Sequence, residues 1–202
     1  IDQDVIRPLR REINGHDIEV FRCYSDCLYA AYGTKWNGNA AAFNGSLFVS
    51  QDGRLRRLTP IECERLMGFP DNYTSIANPR LTNRYQATGN SWAVPVIRWI
   101  MHRLLEATNN NNIQNVVLPR PSVVNNNYTL YMLDEFTLVG NQFLNASNSC
   151  YDFVLTNMLD IVDTEPDEKL YISPAGCAGI LRRKREHNAG MNARLEVVLE
   201  NC

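Results

Sequence analysis

A thiolate is the strongest nucleophile among the ordinary side chains, so the six cysteines, Cys23, Cys27, Cys63, Cys150, Cys177 and Cys202, are weighed first. An activated thiol needs an electropositive, accessible setting, and none of the six has one written around it. Cys63 sits inside a short helical pattern, where a small buried residue is the expected role. No catalytic residue is assigned. The spacing Cys23-x-x-x-Cys27 with His16 nearby suggests zinc, but a structural zinc site takes four ligands, usually in two close pairs. A second close pair is missing, so no metal is assigned.

Binding chemistry is better represented. Arg54, Arg56 and Arg57 form one basic knot, and Arg182, Arg183, Lys184 and Arg185 another. Cations in such runs can follow a phosphate backbone with salt-sensitive affinity. The second run equally suits a solvated face, or a partner for the acidic stretch Asp160 to Glu168. A third feature is the loop Tyr32-Gly33-Thr34-Lys35-Trp36-Asn37-Gly38-Asn39. Asn reads adenine edges, Lys and Arg read guanine or hold phosphate, and Gly admits close backbone approach. Lys35, Asn37, Asn39, Arg54, Arg57, Arg182 and Arg183 are therefore the candidate DNA contacts. The alternative for the loop is an aromatic-anchored turn with Trp36 buried.

The elements that must position these groups are an α+β mixture. Short apolar runs at Ile18 to Phe21 and Ser46 to Val49 predict short strands among irregular loops. Thr59-Pro60-Ile61-Glu62 predicts a helix start, with an N-cap, a first-position proline and a capping-box carboxylate. Leu58 and Cys63 occupy the hydrophobic-staple positions, while Gly68 supplies a left-handed stop and Pro70 forbids continuation. A turn at Gly89-Asn90-Ser91 precedes a second helix from Val94 or Pro95 to about Glu106, whose apolar residues share one face. Four asparagines, Asn109 to Asn112, read as a linker, with a second polar insert at Asn125 to Asn127. Tyr128 to Val139 reads as a strand or bent hairpin arm, and Tyr151 to Val162 as helical or mixed. Ser173-Pro174 opens a helix through about Glu186, and Asn192 to Glu200 forms a short last one. The predicted organisation is a region over 1–107, an Asn-rich linker over 108–127 and an accessory domain over 128–202 that ends in a basic helical hairpin.

Composition narrows the class. The chain has 202 residues, 45% of them hydrophobic, which is enough to bury a core. A net charge of −2 excludes a uniformly basic nucleic-acid coat and leaves the charge bipolar. Irregular cysteine spacing in a chain of this size predicts reduced thiols and a cytoplasmic setting. No apolar run approaches the length of a membrane span, which is about 18 residues. A first residue of Ile1 is what a piece of a longer product would show.

Two runs then carry a resemblance, RRLTPIECERLMGFPDNYT at Arg56 to Thr74 and GNSWAVPV at Gly89 to Val96. Together they are similar to the last two conserved blocks of the DNA cytosine-5 methyltransferases. A well-capped helix alone explains Thr59, Pro60 and Glu62, but not the continuation through Asp71. The likeness covers Ala31 to about Ile100. It implies that the first block organises a small, irregular target-recognition domain, with Arg57 a structural or phosphate-facing cation. It also implies that Asn90 and Ser91 border the pocket of S-adenosylmethionine.

In that family a thiolate adds to the cytosine ring after the base is flipped out of the duplex, and the activated ring takes the methyl group. The family's Pro-Cys, Glu-Asn-Val and Phe-x-Gly-x-Gly signatures do not occur in this chain. The resemblance therefore implies a DNA-reading, pocket-closing portion that acts on duplex DNA only with an N-terminal catalytic half or subunit, and is inactive alone. The rival expectation is a non-catalytic DNA-binding or regulatory protein derived from such an enzyme. No membrane partner is expected.

Overall fold

A computed structural model describes residues 7–35, 43–77, 79–109, 123–124, 129–130, 136–139, 142–145 and 156–202. The chain divides into two compact units, Ile1–Val96 with Thr156–Cys202, and Ile97–Leu155.

The first unit is built on an antiparallel sheet in the order β1-β2-β3-β4, comprising β1 Leu9–Ile13, β2 His16–Val20, β3 Phe48–Gln51 and β4 Arg54–Arg57. Asn14-Gly15 and Asp52-Gly53 make its two tight turns, all four residues at positive φ, as the hairpin turns that match strand twist require. The predicted strands correspond to β2 and β3. The outer strands β1 (LRREI) and β4 (RLRR) were missed because charge hides their pattern. β1 is an edge strand with three exposed residues, and β4 buries an arginine.

Side chains alternate across the sheet, and each face has its own core. Ile18, Val20 and Val49 pack with Leu28, Tyr32, Leu47, Leu58, Cys63 and Tyr85, joined by Met158, Leu159 and Val162. Phe48 and Leu55, with Phe21, pack against Cys177, Ile180, Leu181, Leu195, Val198 and Leu199. Residues 156–202 therefore complete both cores. Tyr171 bridges Arg56 as a strand partner, and Ile172 N donates to Leu55 O at 2.9 Å. Arg194 forks onto Glu19 of β2 at 2.6 and 2.9 Å. This grouping differs from the predicted boundary at 128, since the sheet's apolar faces are covered only when residues 156–202 return to them.

Helices described in this unit include α1 Tyr32–Lys35, α2 Pro60–Met67, α3 Leu81–Asn90, α5 Pro174–Glu186 and α6 Ala193–Glu200; α4 Val94–Asn109 runs on from it. A 3-10 turn spans Glu168–Leu170. α2 and α5 start at their predicted caps, Thr59 and Ser173, and Asn192, predicted as the first residue of the last helix, is the cap of α6; each accepts a backbone N–H. The predicted turn at Gly89-Asn90-Ser91 is corrected by α3, which continues through Asn90. Its sequence, LTNRYQATGN, has weak helix propensity, and burial of Tyr85 and Thr88 holds it. α4 begins where predicted and runs to Asn109, three residues beyond the predicted end.

In the second unit β5 Val123–Val124 pairs with β6 Thr129–Leu130, and β7 Phe136–Val139 with β8 Gln142–Asn145. The rest of the Asn-rich segment and the insert at Asn125 to Asn127 lie outside the described residues. So does the start of Tyr151 to Val162; its described part is irregular with a turn at 158–161.

Candidate functional site

The run Arg56 to Thr74 is organised from its centre. Arg56, fully buried on β4, meets the fully buried Glu62 of α2 in a two-pronged pair at 2.8 and 3.0 Å. Its other donors go to Gln51 Oε1 at 3.0 Å, Asp163 O at 2.9 Å and Arg57 O at 3.1 Å. Glu62 also accepts Thr59 N at 2.7 Å, closing the capping box, and Asp163 N at 2.9 Å. Burial opposes the Arg56 cation, and the facing Glu62 carboxylate outweighs it, so the guanidinium's pKa is raised. A buried ion pair repays its desolvation only when the remaining donors and acceptors are satisfied, and here they are.

The continuation to Asp71 has its own bonds. Gly68 adopts the left-handed C-cap at φ 79°, and Phe69 N returns to Glu64 O at 2.9 Å. Arg65 forks onto Asp71 at 2.8 and 2.6 Å and reaches the carbonyls of Ile161 and Val162. Glu64 accepts Arg84 Nη2 and Thr74 N, each at 2.9 Å. Burial would raise this carboxyl, but Arg84 and Thr74 more than compensate and hold it below the usual range.

The third layer joins α1, α3 and the start of α2. Tyr32 donates to Leu47 O at 2.7 Å and accepts Leu58 N at 2.9 Å, and Tyr85 donates to Leu58 O. The two rings meet edge to face at 5.2 Å. Burial pushes both phenols upward, so they remain neutral hydrogen-bonding groups.

The predicted site residues are distributed unevenly. Arg57 is half-buried and donates to Gly33 O of α1 at 3.5 Å, which brings it beside the segment ending in Lys35. The Lys35 side chain, Asn37 and Asn39 lie outside the described residues. Arg54 is exposed on the sheet, ion-paired with Glu168 and 4.0 Å over the ring of Tyr171. Arg182 is exposed with Glu186 3.5 Å away, and Arg183 is half-buried. Asn90 ends α3 with its side chain exposed, and Ser91 Oγ donates to Thr88 O at 2.6 Å. α3 thus links Asn90 and Ser91 at its C-terminal end to α1, whereas Arg54 and Arg182 lie beside Glu168 and Glu186.

Thiol chemistry finds little support in the buried cysteines. Burial drives Cys63 well above an ordinary thiol, with Glu62 and Glu64 adding to the effect. Burial and then Cys202 push Cys177 up to about 12. Among the described residues no three His, Cys, Asp or Glu side chains are grouped to hold a metal.

Sequence reasoning missed the role of Arg56, reading it only as one cation of a basic knot. The signal was available: Arg56 alternates with Leu55 and Arg57 on a strand and stands six residues before the capping-box carboxylate. Two glycine contacts were also missed. A Cβ on Gly89 would lie 2.4 Å from Ala30 N and Tyr29 C, and one on Gly33 would lie 3.2 Å from Thr82 Cα.

A sequence model of the C-5 cytosine-specific DNA methylases matches residues 5–106. The chain is 30% identical to the type II methyltransferase M.HhaI of Haemophilus parahaemolyticus, over 54% of this chain and 32% of that protein. It is 48% identical to the type II methyltransferase M.NlaIV of Neisseria lactamica, over 29% and 14%. A DNA N-6-adenine-methyltransferase of Escherichia phage P1 is 39% identical over 26% and 11%. The chain spans about a third or less of the length of these curated relatives. No solved structure matches it.

Proposed function

Because this chain belongs to the C-5 cytosine-specific DNA methylase family, we propose that it is the C-terminal, DNA-target-recognition portion of a DNA cytosine-5 methyltransferase. It methylates cytosine in duplex DNA only together with an N-terminal catalytic part. The observation that carries this reading is the Arg56–Glu62–Thr59 assembly. A buried ion pair, a capping box and the return to Asp163 converge on the run that resembles the family's target-recognition block. The chain holds no Pro-Cys dipeptide beside it.

In this reading Lys35, Asn37, Asn39 and Arg57 contact the duplex, and Arg54, Arg182 and Arg183 hold phosphates. Bound S-adenosylmethionine supplies the methyl group. Asn90 and Ser91 fit one wall of its pocket. The exposed Asn90 carboxamide offers both a donor and acceptors. The Ser91 hydroxyl proton is committed to Thr88 O, so Ser91 presents lone pairs to a donor such as a ribose hydroxyl or ammonium.

The need for a second part is supported by α4 and the residues before it. Trp92 is 71% exposed, and Val96, Met101 and Leu104 each remain at least half exposed. Apolar surface of this kind marks an interaction site, and the catalytic part is its occupant in this reading. The test is to express the chain with and without an N-terminal half carrying Pro-Cys and Glu-Asn-Val, and to assay methyl transfer to duplex DNA. Activity that requires both is expected. Activity from this chain alone, or none in any pairing, overturns the proposal.

A further inference from the structure

We propose that Gly33 and Gly89 are positioning residues forming a seam that couples the DNA-facing end of α1 to the C-terminal end of α3 at Asn90 and Ser91. Duplex DNA bound at one end then tightens the other. This inference rests on the functional reading above for what each end binds, but the seam itself stands on geometry.

Neither glycine has a positive φ, so backbone conformation does not demand them; space does. At Gly89 a Cβ would sit 2.4 Å from both Ala30 N and Tyr29 C and 2.6 Å from Ala30 Cα, all main-chain atoms. A contact that short cannot be relieved by rotating a side chain, so one backbone must move away from the other. At Gly33 the approach is reciprocal, with Thr82 Cα at 3.2 Å and the Tyr85 ring at 3.0 Å. α1 and the residues before it therefore lie directly on α3, one glycine on each side.

Two further ties make the seam stiff. Tyr32 of α1 and Tyr85 of α3 stack edge to face and both bond Leu58, one at its N–H and one at its carbonyl. Arg57 adds a bond to Gly33 O. α3 is ten residues long; one end of the seam leads to Lys35, and the other leads to Asn90. A displacement of α1 thus meets the main chain of α3 at both glycines on the way to Ser91. Coupling carried by a contiguous packed element of this kind is reciprocal between its ends.

Amide hydrogen exchange of the full chain tests this, read at Tyr32 and Thr34, whose N–H groups close α1, and at Ser91, whose N–H closes α3. Gly89→Ala is expected to speed exchange at all three by about tenfold relative to Val49 and Leu55 in the sheet, a coupling within the usual range. Leu195→Ala, which hollows the opposite core, provides the matched destabilised control and should not single out these amides. Adding a duplex oligonucleotide should slow Thr34 and Ser91 together in the wild-type chain, but Thr34 alone in Gly89→Ala. If Gly89→Ala does not fold, Gly33→Ala, whose nearest neighbour is a ring that can shift, takes its place.

Faster exchange at Ser91 with Tyr32 and Thr34 unchanged overturns the seam whatever the chain binds. If all three amides respond to the substitution but DNA alters none of them, the seam stands and the DNA reading fails. In the assembly with the catalytic half, the substitution should raise KM for both S-adenosylmethionine and DNA more than it lowers kcat. A fall in kcat alone counts against a positioning role.

Discussion

α2 and α4 are opposite solutions to the same problem. α2 is eight residues long, closed by a capping box at one end and a left-handed glycine at the other, with Glu62 and Cys63 fully buried. α4 is sixteen residues long and leaves Val96, Met101 and Leu104 at least half exposed. The first is finished by groups within this chain. The second presents an exposed apolar face, which the proposed function gives to a catalytic part as its docking surface. Local sequence can specify a helix whose partners are a few residues away, but for a helix partnered elsewhere it can specify only the face.

The largest effect on this contrast is expected from breaking the closed side. Glu62→Ala strips Arg56 of its counter-charge and leaves Thr59 N and Asp163 N without their acceptor. Breaking a buried pair from one side costs about 3–5 kcal/mol, so urea denaturation should show a loss of that order or a chain that fails to fold. A loss no larger than that of an exposed residue would mean that α2 is not closed by this pair. Gly68→Ala comes next. A left-handed L-residue costs about 1–2 kcal/mol, and the added Cβ would meet Pro95 Cδ at 2.5 Å. Thermal denaturation should report a loss above that range if α2 and the start of α4 are locked together.

Acid sharpens the comparison further. The Glu64 carboxyl is depressed by Arg84 and Thr74 after burial has been overcome. Its stabilisation is complete above the unfolded carboxylate pKa of about 4.3 and is lost as pH falls through the lower folded value. The urea midpoint of the wild-type chain should therefore drop more steeply below that point than that of Glu64→Gln. Parallel curves would show that Arg84 does not hold the carboxylate.

The smallest stability effect belongs to the open side. Met101→Glu and Leu104→Glu should each alter the stability of the chain by no more than about 0.5 kcal/mol, yet abolish co-purification with the catalytic half. Destabilisation as large as that of Gly68→Ala would place these side chains in a core of this chain.

The same contrast explains what was legible. Thr59, Pro60, Glu62 and Gly68 wrote α2 into the sequence, and Ser173-Pro174 and Asn192 did the same for α5 and α6, because caps act within a few residues. β1 and β4 were not legible as apolar alternations, since Arg10, Arg11 and Glu12 of LRREI are exposed and RLRR buries a cation. Their turns, Asn14-Gly15 and Asp52-Gly53, were the signal available. α3 had no local signal because Tyr85 and Thr88 are held by tertiary burial. The last helix was predicted, but not that its Leu195, Val198 and Leu199 would cover Phe21, Phe48 and Leu55. Of the candidate site, the motif block was readable; the roles of Arg56, Gly33 and Gly89 depend on contacts between distant elements.

The central claim is that this chain reads DNA and closes a pocket whose chemistry lies in another polypeptide part. Its most direct test is a titration of the chain into a fixed concentration of the catalytic half, with transfer of a labelled methyl group from S-adenosylmethionine to duplex DNA as the readout. Transfer should be at background without this chain, rise with its addition and saturate at equal stoichiometry. Transfer by the chain alone, or no rise on its addition, would contradict the account.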